Sequence, residues 1–187
     1  MGCDIHLFKE KKVNGQWVTA DDWSNEEDEL YCERSNYGDR NYNLFGFISK
    51  GTRRHHEKSF DVKGMPSDAS AEVKKCCEAW GADGHSHSYL TIGELKAAFE
   101  IVKNDKATIN GMMHRDQWAK VQEEAKKPEP NWMVIYPYCQ STNMSEYVNF
   151  SIDVPMSFIL GSGIEEIIAG FDGIEAEDLR IVFWFDN

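Results

Sequence analysis

The chain has 187 residues, with 20 Lys and Arg against 32 Asp and Glu, giving a formal net charge of −12 and a pI of about 4.9. Such a chain is repelled by the phosphate backbone, whose attraction for Lys and Arg supplies most non-specific nucleic-acid affinity, so general DNA or RNA binding is excluded. At 41% hydrophobic and 12% aromatic it is too apolar for a disordered chain, and its length suits a single globular domain over residues 1–187.

The opening stretch, MGCDIHLFKEKK, places Asp4 and His6 where a secretory signal needs an unbroken apolar run. No stretch approaches the roughly 18–20 apolar residues of a membrane span. Both observations predict a cytoplasmic protein that does not enter the membrane. The cysteines, Cys3, Cys32, Cys76, Cys77 and Cys139, are odd in number and include an adjacent pair that bridges only with strain, which predicts free thiols in a reducing compartment.

In chain order, Cys3, Ile5 and Leu7 alternate with Asp4, His6 and Phe8, Asn14-Gly15 offers a tight turn, and Gln16 to Thr19 returns, which predicts a hairpin. Residues 21–33 hold seven carboxylates and no Lys or Arg, the first part of a long polar segment, 21–38, that reads as a loop or surface helix. A short helix is expected from Asn43 to Lys50, and a second long polar loop over 51–69. Ser70 caps a helix that Gly81 stops, and Thr91 with Glu94 has the spacing of a capping box for a helix reaching about Lys103. An amphipathic helix is expected from about His114 to Lys127. Trp132 to Tyr136 and Tyr147 to Ile152 read as two antiparallel strands, Ser162 to Gly170 as a short helix, and Leu179 to Phe185 as a terminal strand. The result is an α+β fold: a mainly antiparallel sheet of the N-terminal hairpin and C-terminal strands, with helices from the middle of the chain on one side.

Asp4 and His6 leave the same face of the first strand, so the carboxylate has the placing either to share a divalent metal with the imidazole or to fix its tautomer; a plain hydrogen-bonded pair is the simpler alternative. The stretch Asp83-Gly84-His85-Ser86-His87-Ser88-Tyr89 concentrates ligating and hydroxyl groups in what reads as a short connector. Asp4, His6, Asp83, His85 and His87 form the candidate metal set, although H-x-H alone is a weak motif. A basic island, with Arg53 and Arg54 among Lys50, His55, His56 and Lys58, suits a phosphate or carboxylate on an otherwise negative chain. Asp39 to Asn43 adds Arg40, Asn41 and Tyr42, a set able to read a polar ligand, though either asparagine also suits a helix N-cap.

The segments MGCDIH, RNYNLFGF, GMPSDAS, WGADGHSHSYLTIGEL and RIVFWFDN together resemble a group of small, mostly uncharacterised phage and prophage proteins. The resemblance spans most of the chain and is specific at 2–6, 40–45 and 83–95. It implies a phage-encoded accessory protein, with counter-defence as one role open to it, working in a bacterial host cytoplasm, and it implies no particular activity.

Two functions of different class follow. In the first, Asp4, His6, His85 and His87 are the reactive groups of a pocket, and Arg40, Asn41, Tyr42, Arg53, Arg54, Ser86 and Ser88 bind a small anionic, nucleotide-like ligand; an enzyme of this kind hydrolyses a phosphoester or nucleotide. In the second, an acidic surface inhibits a host bacterial protein, by imitating nucleic acid or otherwise.

Overall fold

The computed structural model describes residues 2–26, 29–32, 37–38, 40–50, 52, 56–136, 144–169 and 173–186. Contacts divide the chain into two compact units, Met1–Val102 with Leu160–Asn187, and Lys103–Ile159. No helix among the described residues is long and apolar enough to cross a membrane.

The first unit is built on a four-stranded antiparallel sheet in the order β2-β1-β8-β5. Strands β1 (Asp4–Val13) and β2 (Gln16–Thr19) form the expected hairpin, closed with Val13 opposite Gln16. Asn14 and Gly15 have φ of 51° and 81°, the paired positive values of the two-residue turn that matches strand twist. Strand β8 (Leu179–Asp186) lies beside β1 in a register running from Asp4↔Asp186 to Lys11↔Leu179. The two ends of the chain therefore share one sheet, as expected. Every β8 residue from Leu179 to Phe185 is buried, and apart from Arg180 all of them are apolar, as a central strand covered on both faces requires.

Helices accordingly cover both faces of this sheet and not one side alone. Helix α2 (Ala71–Trp80), capped by Ser70 and ended at Gly81 with φ 51°, packs Val73 and Trp80 with Phe8, Val182 and Trp184. On the opposite face, Phe45 of α1 (Tyr42–Ile48) lies 5.3 Å from Phe185 between ring centres. There too the buried Lys9 Nζ donates to the carbonyls of Glu166 and Ala169 at the end of α5 (Met156–Ile168), at 3.4 and 2.9 Å. Burial lowers the pKa of Lys9, while a cation at a helix C-terminus is favourably placed. Helix α5 starts six residues before the expected Ser162. Gly163 does not interrupt it, because a side chain there would meet Leu44 Cδ2 at 2.7 Å and the glycine is what allows close packing.

The remaining differences have local causes. Within 21–38, expected to be a polar loop, β3 (Trp23–Glu26) and β4 (Glu29–Cys32) pair as a small hairpin. The expected connector after Gly84 is strand β5 (His85–Thr91), which pairs with the far edge of β8 and leads directly into α3 (Ile92–Val102). The capping box is present there, with Glu94 N donating to Thr91 Oγ1 at 3.0 Å and Thr91 N donating to Glu94 Oε2 at 2.8 Å. The described residues of 51–69 form no helix or strand.

The second unit contains β6 (Lys106–His114), α4 (Arg115–Glu124) and β7 (Tyr147–Pro155) around a core of Met113, Val121, Ile135 and Val154. Trp132 to Ile135, expected to be the partner of β7, is instead a 3-10 turn whose start is capped by the Asn131 side chain. Strand β6 takes the partner's place along nine residue pairs, from Lys106↔Pro155 to His114↔Tyr147. The Phe150 ring lies over Gly111, where a Cβ would stand 2.9 Å from it.

Candidate functional site

The concentration of chemistry lies on the α2 face of the main sheet. Residues directly opposite in an antiparallel ladder share a face, so the register places Asp4, His6, Asp186 and Trp184 together near the end of β1 and β8. The imidazole of His6 stacks on Trp184 with centroids 5.7 Å apart and planes at 23°, and Trp80 of α2 packs against it at 4.0 Å. On the β5 side, His87 stacks on the same indole at 5.7 Å and 27°. A row of rings, Trp80, His6, Trp184 and His87, thus spans helix and three strands.

His6 Nε2 lies 3.4 Å from Asp186 Oδ2, and both side chains are 21% exposed. The alignment does not make a hydrogen bond: His6 Nε2 and the indole Nε1 of Trp184 are buried with no hydrogen-bond partner among the described residues. The carboxylate expected to orient His6 was Asp4, and here the structure corrects the sequence reading. Asp4 is held by Arg40 in a two-point contact, Arg40 Nε with Oδ1 and Nη2 with Oδ2 at 2.5 Å. That hydrogen bonding lowers the pKa of Asp4 and raises that of Arg40. Asp186 stands where Asp4 was expected. The pairing of the two terminal strands contained the signal for it, since Asp186 is two residues from Trp184 and returns to the same face.

His85 does not join His6 and His87. It pairs with Phe185 and stacks on that ring at 6.1 Å, on the other face of the sheet, with Nδ1 3.0 Å from Ser86 Oγ. The cause is a bulge between His85 and Ser88, where Ser86 takes φ 54° and the every-other-residue alternation is lost. Ser88 is fully buried, and its hydroxyl accepts the backbone N–H of Lys63 at 3.1 Å, a structural role. Asp83 is exposed in a 3-10 turn. Among the described residues no three His, Cys, Asp or Glu side chains converge in a way that could hold a metal ion, so Asp4, His6, Asp83, His85 and His87 do not form one ligand set. Arg53 and Arg54 lie outside the described residues; their neighbour Lys50 is 3.3 Å from Asp61.

Burial, and secondly the charge of His85, hold the His87 imidazole below its ordinary 6.5. A histidine that resists protonation when folded binds fewer protons than the unfolded chain once pH falls below the unfolded value, so stability declines on acidification through that window. Urea midpoints taken between pH 7.5 and 5.5 are expected to fall more steeply for wild type than for His87→Gln; parallel profiles would show that burial does not govern this histidine.

Asn41 and Tyr42, expected to contact ligand, have clear structural tasks. The Asn41 side chain accepts the backbone N–H groups of Asn43 and Leu44, both at 3.1 Å, and caps α1. The Tyr42 hydroxyl accepts Cys3 N–H at 3.4 Å. Asn41→Ala is expected to cost about 1 kcal/mol in thermal or urea denaturation, while Asn41→Asp or Asn41→Ser stays close to wild type. Equal losses in all three variants would mean that more than the cap is at stake.

Cys76 and Cys77 belong to the packing of α2. Burial pushes the Cys76 thiol up to about 11 and raises that of Cys77, which makes both poor nucleophiles. A polar group that the sequence reading overlooked lies in the second unit, where His114, Arg115, Asp116, Ser145 and Glu146 line an open depression of about 410 Å3. His114 caps α4 through Nδ1, which accepts Asp116 N–H at 3.2 Å, and its Nε2 is 2.8 Å from Glu146. Both ring nitrogens are thereby engaged.

No protein-family model matches the sequence, and neither a curated protein nor a solved structure matches the chain.

Proposed function

We propose that this protein binds a small anionic, nucleotide-like ligand at the His6, Trp184 and His87 row, as a phage-encoded accessory protein. The observation that carries the reading is the pair of buried ring nitrogens without a hydrogen-bond partner among the described residues, His6 Nε2, 3.4 Å from the Asp186 carboxylate, and Trp184 Nε1, on one sheet face. Leaving a buried polar group unpaired costs about 1–3 kcal/mol, so two in one row mark a place where an external atom supplies the missing hydrogen bonds. Stacking between rigid strands holds both nitrogens in position before any ligand arrives.

The test is calorimetric titration with nucleoside monophosphates, with products followed by chromatography. One equivalent is expected to bind and to be recovered intact. His6→Ala and His87→Ala are expected to weaken binding at least about tenfold, the loss of one hydrogen bond to a charged group. His114→Ala, in the second unit, is expected to leave it unchanged. Equal affinity in all four proteins refutes the site, and release of nucleoside and phosphate replaces the binder by a hydrolase.

One observation favours the acidic-surface reading. Arg180, the sole cation among residues 165–187, is 3% exposed, so the exposed Glu165, Glu166, Glu175 and Glu177 have no nearby cation in sequence to balance them. Under that reading, Gln at these four positions abolishes capture of a basic host protein while nucleotide binding is absent throughout.

A further inference from the structure

We propose that the outer edge of β6 pairs with the same edge of a second copy of this chain, antiparallel about a two-fold axis at Asn110. The two β6–β7 ribbons then form one four-stranded sheet. This does not depend on the ligand reading above.

The ribbon is two strands wide and holds one unbroken register from Lys106↔Pro155 to His114↔Tyr147. Among the described residues the backbone of Ala107 to Met113 bonds only to β7, so alternate residues turn an N–H and a C=O outward to solvent. Strand edges are usually guarded against further pairing by charge, by proline or by a bulge. β7 carries Asp153 and ends on Pro155, which has no N–H to offer another strand. β6 has no such guard: from Ala107 to Met113 it holds no charged residue and no proline, and no bulge breaks its register. Thr108, Asn110 and Met112 are exposed along it.

The pleat limits which register an added strand takes. Met113 is buried and Ile109 packs on the same core, whereas Lys106, Thr108, Asn110 and Met112 lie on the outer face, so even-numbered positions must meet even-numbered ones. With the axis at Asn110, Thr108 falls opposite Met112 and Lys106 falls opposite His114. Lys106 is exposed and makes no ion pair among the described residues, and His114 holds the Glu146 carboxylate 2.8 Å from its Nε2. Opposite residues of such a ladder have Cβ atoms about 4.5–5.5 Å apart, which brings each lysine within reach of the Glu146 carboxylate of the other copy. The strand thus carries a cation at one end and a carboxylate at the other, and a two-fold axis joins them twice. That self-complementarity selects a second copy over an unrelated strand.

The net charge of −12 opposes association of two copies in general but hardly opposes it here. Residues 103–159 contain six Lys and Arg against seven Asp and Glu, a net of −1, so the first unit carries the other eleven.

The experiment is sedimentation velocity of the full chain from about 5 to about 500 μM, a range suited to a small interface. A species of twice the 21.5 kDa mass is expected to grow with concentration. Asn110→Lys, which sets two ammonium groups opposite each other at the axis, is expected to weaken dimerisation at least tenfold with an unchanged urea midpoint. Lys106→Glu is expected to weaken it likewise, and Lys106→Glu combined with Glu146→Lys to restore it, a rescue that a merely misfolded variant does not give. A monomer at every concentration overturns the proposal, as does a dimer that Asn110→Lys leaves intact. A dimer lost in Asn110→Lys but indifferent to the charge exchange overturns the axis at Asn110. Mass that grows beyond two copies overturns the closed pair.

Discussion

Arg180→Ala is expected to destabilise the first unit by about 3–5 kcal/mol, the cost of leaving a buried charge without its partner. Arg180 Nε donates to Glu10 Oε2 at 2.6 Å, and the two side chains are 3% and 0% exposed. The other Glu10 oxygen accepts Ser70 N–H at 2.6 Å, at the residue that caps α2, while Arg180 Nη1 reaches Asp68 at 2.8 Å and the guanidinium stacks 4.1 Å over Trp17. One cation thus joins β8, β1, β2 and the start of α2. With denaturant slopes of about 1–3 kcal/mol per M, the urea midpoint is expected to fall by at least about 1 M. The double variant Glu10→Met with Arg180→Met is expected to recover most of that loss, because removing both charges leaves nothing to desolvate unpaired. A double variant no better than either single one would place the stabilisation in packing and not in the ion pair. The hydrogen bond from Arg180 also lowers the Asp68 pKa. A carboxyl depressed on folding stabilises above its unfolded value of about 3.9, and that contribution is lost as pH falls through the folded value, so this part of the acid limb is expected to vanish in Arg180→Ala.

The same residue shows why charge read along a sequence misleads. The total of −12 excludes polyanion binding, and the local excess of acids near the C-terminus is real, but Arg180 does not offset it at the surface because it is spent internally on Glu10 and Asp68. What the sequence made legible was decided by adjacent residues. Asn14-Gly15 set the hairpin turn, Ser70 and Gly81 bound α2, and Thr91 with Glu94 starts α3, each through contacts within three residues or fewer. The continuous run from Leu179 to Phe185 carried more than was drawn from it, since burial on both faces already required helices on both faces.

The misreadings share a long-range cause. The His-Ser-His-Ser stretch is polar enough to pass for a loop, and it becomes a strand because β8 offers it an open edge. The bulge at Ser86 then sends His85 to one face and His87 to the other, a change of direction that no spacing rule reveals. His6 was recognisable as a candidate site residue, whereas its neighbours Asp186, Trp184 and Trp80 come from 74 to 180 residues away and arrive only through strand register and helix packing. Asp4, the near candidate, was taken up by Arg40.

Trp184→Ala is expected to cost about 3–5 kcal/mol, as for other buried aromatic residues, since the ring is fully buried against Phe8, Val73 and Val182. Trp184→Phe tests something different. Phenylalanine keeps a ring between His6 and His87 but is smaller, so lost transfer and cavity terms of about 1–3 kcal/mol oppose stability. It also removes an indole N–H that is buried without a hydrogen-bond partner among the described residues, which relieves about 1–3 kcal/mol. The two effects nearly cancel, and Trp184→Phe is expected to unfold within about 1 kcal/mol of wild type in the absence of ligand. Binding of AMP is expected to fall at least about tenfold in the same variant, because the donor that the proposed ligand would satisfy has gone. The unpaired N–H is then a liability of the free protein that becomes useful only when occupied. If Trp184→Phe instead loses as much stability as Trp184→Ala and retains its affinity, the N–H belongs to the core and not to a site.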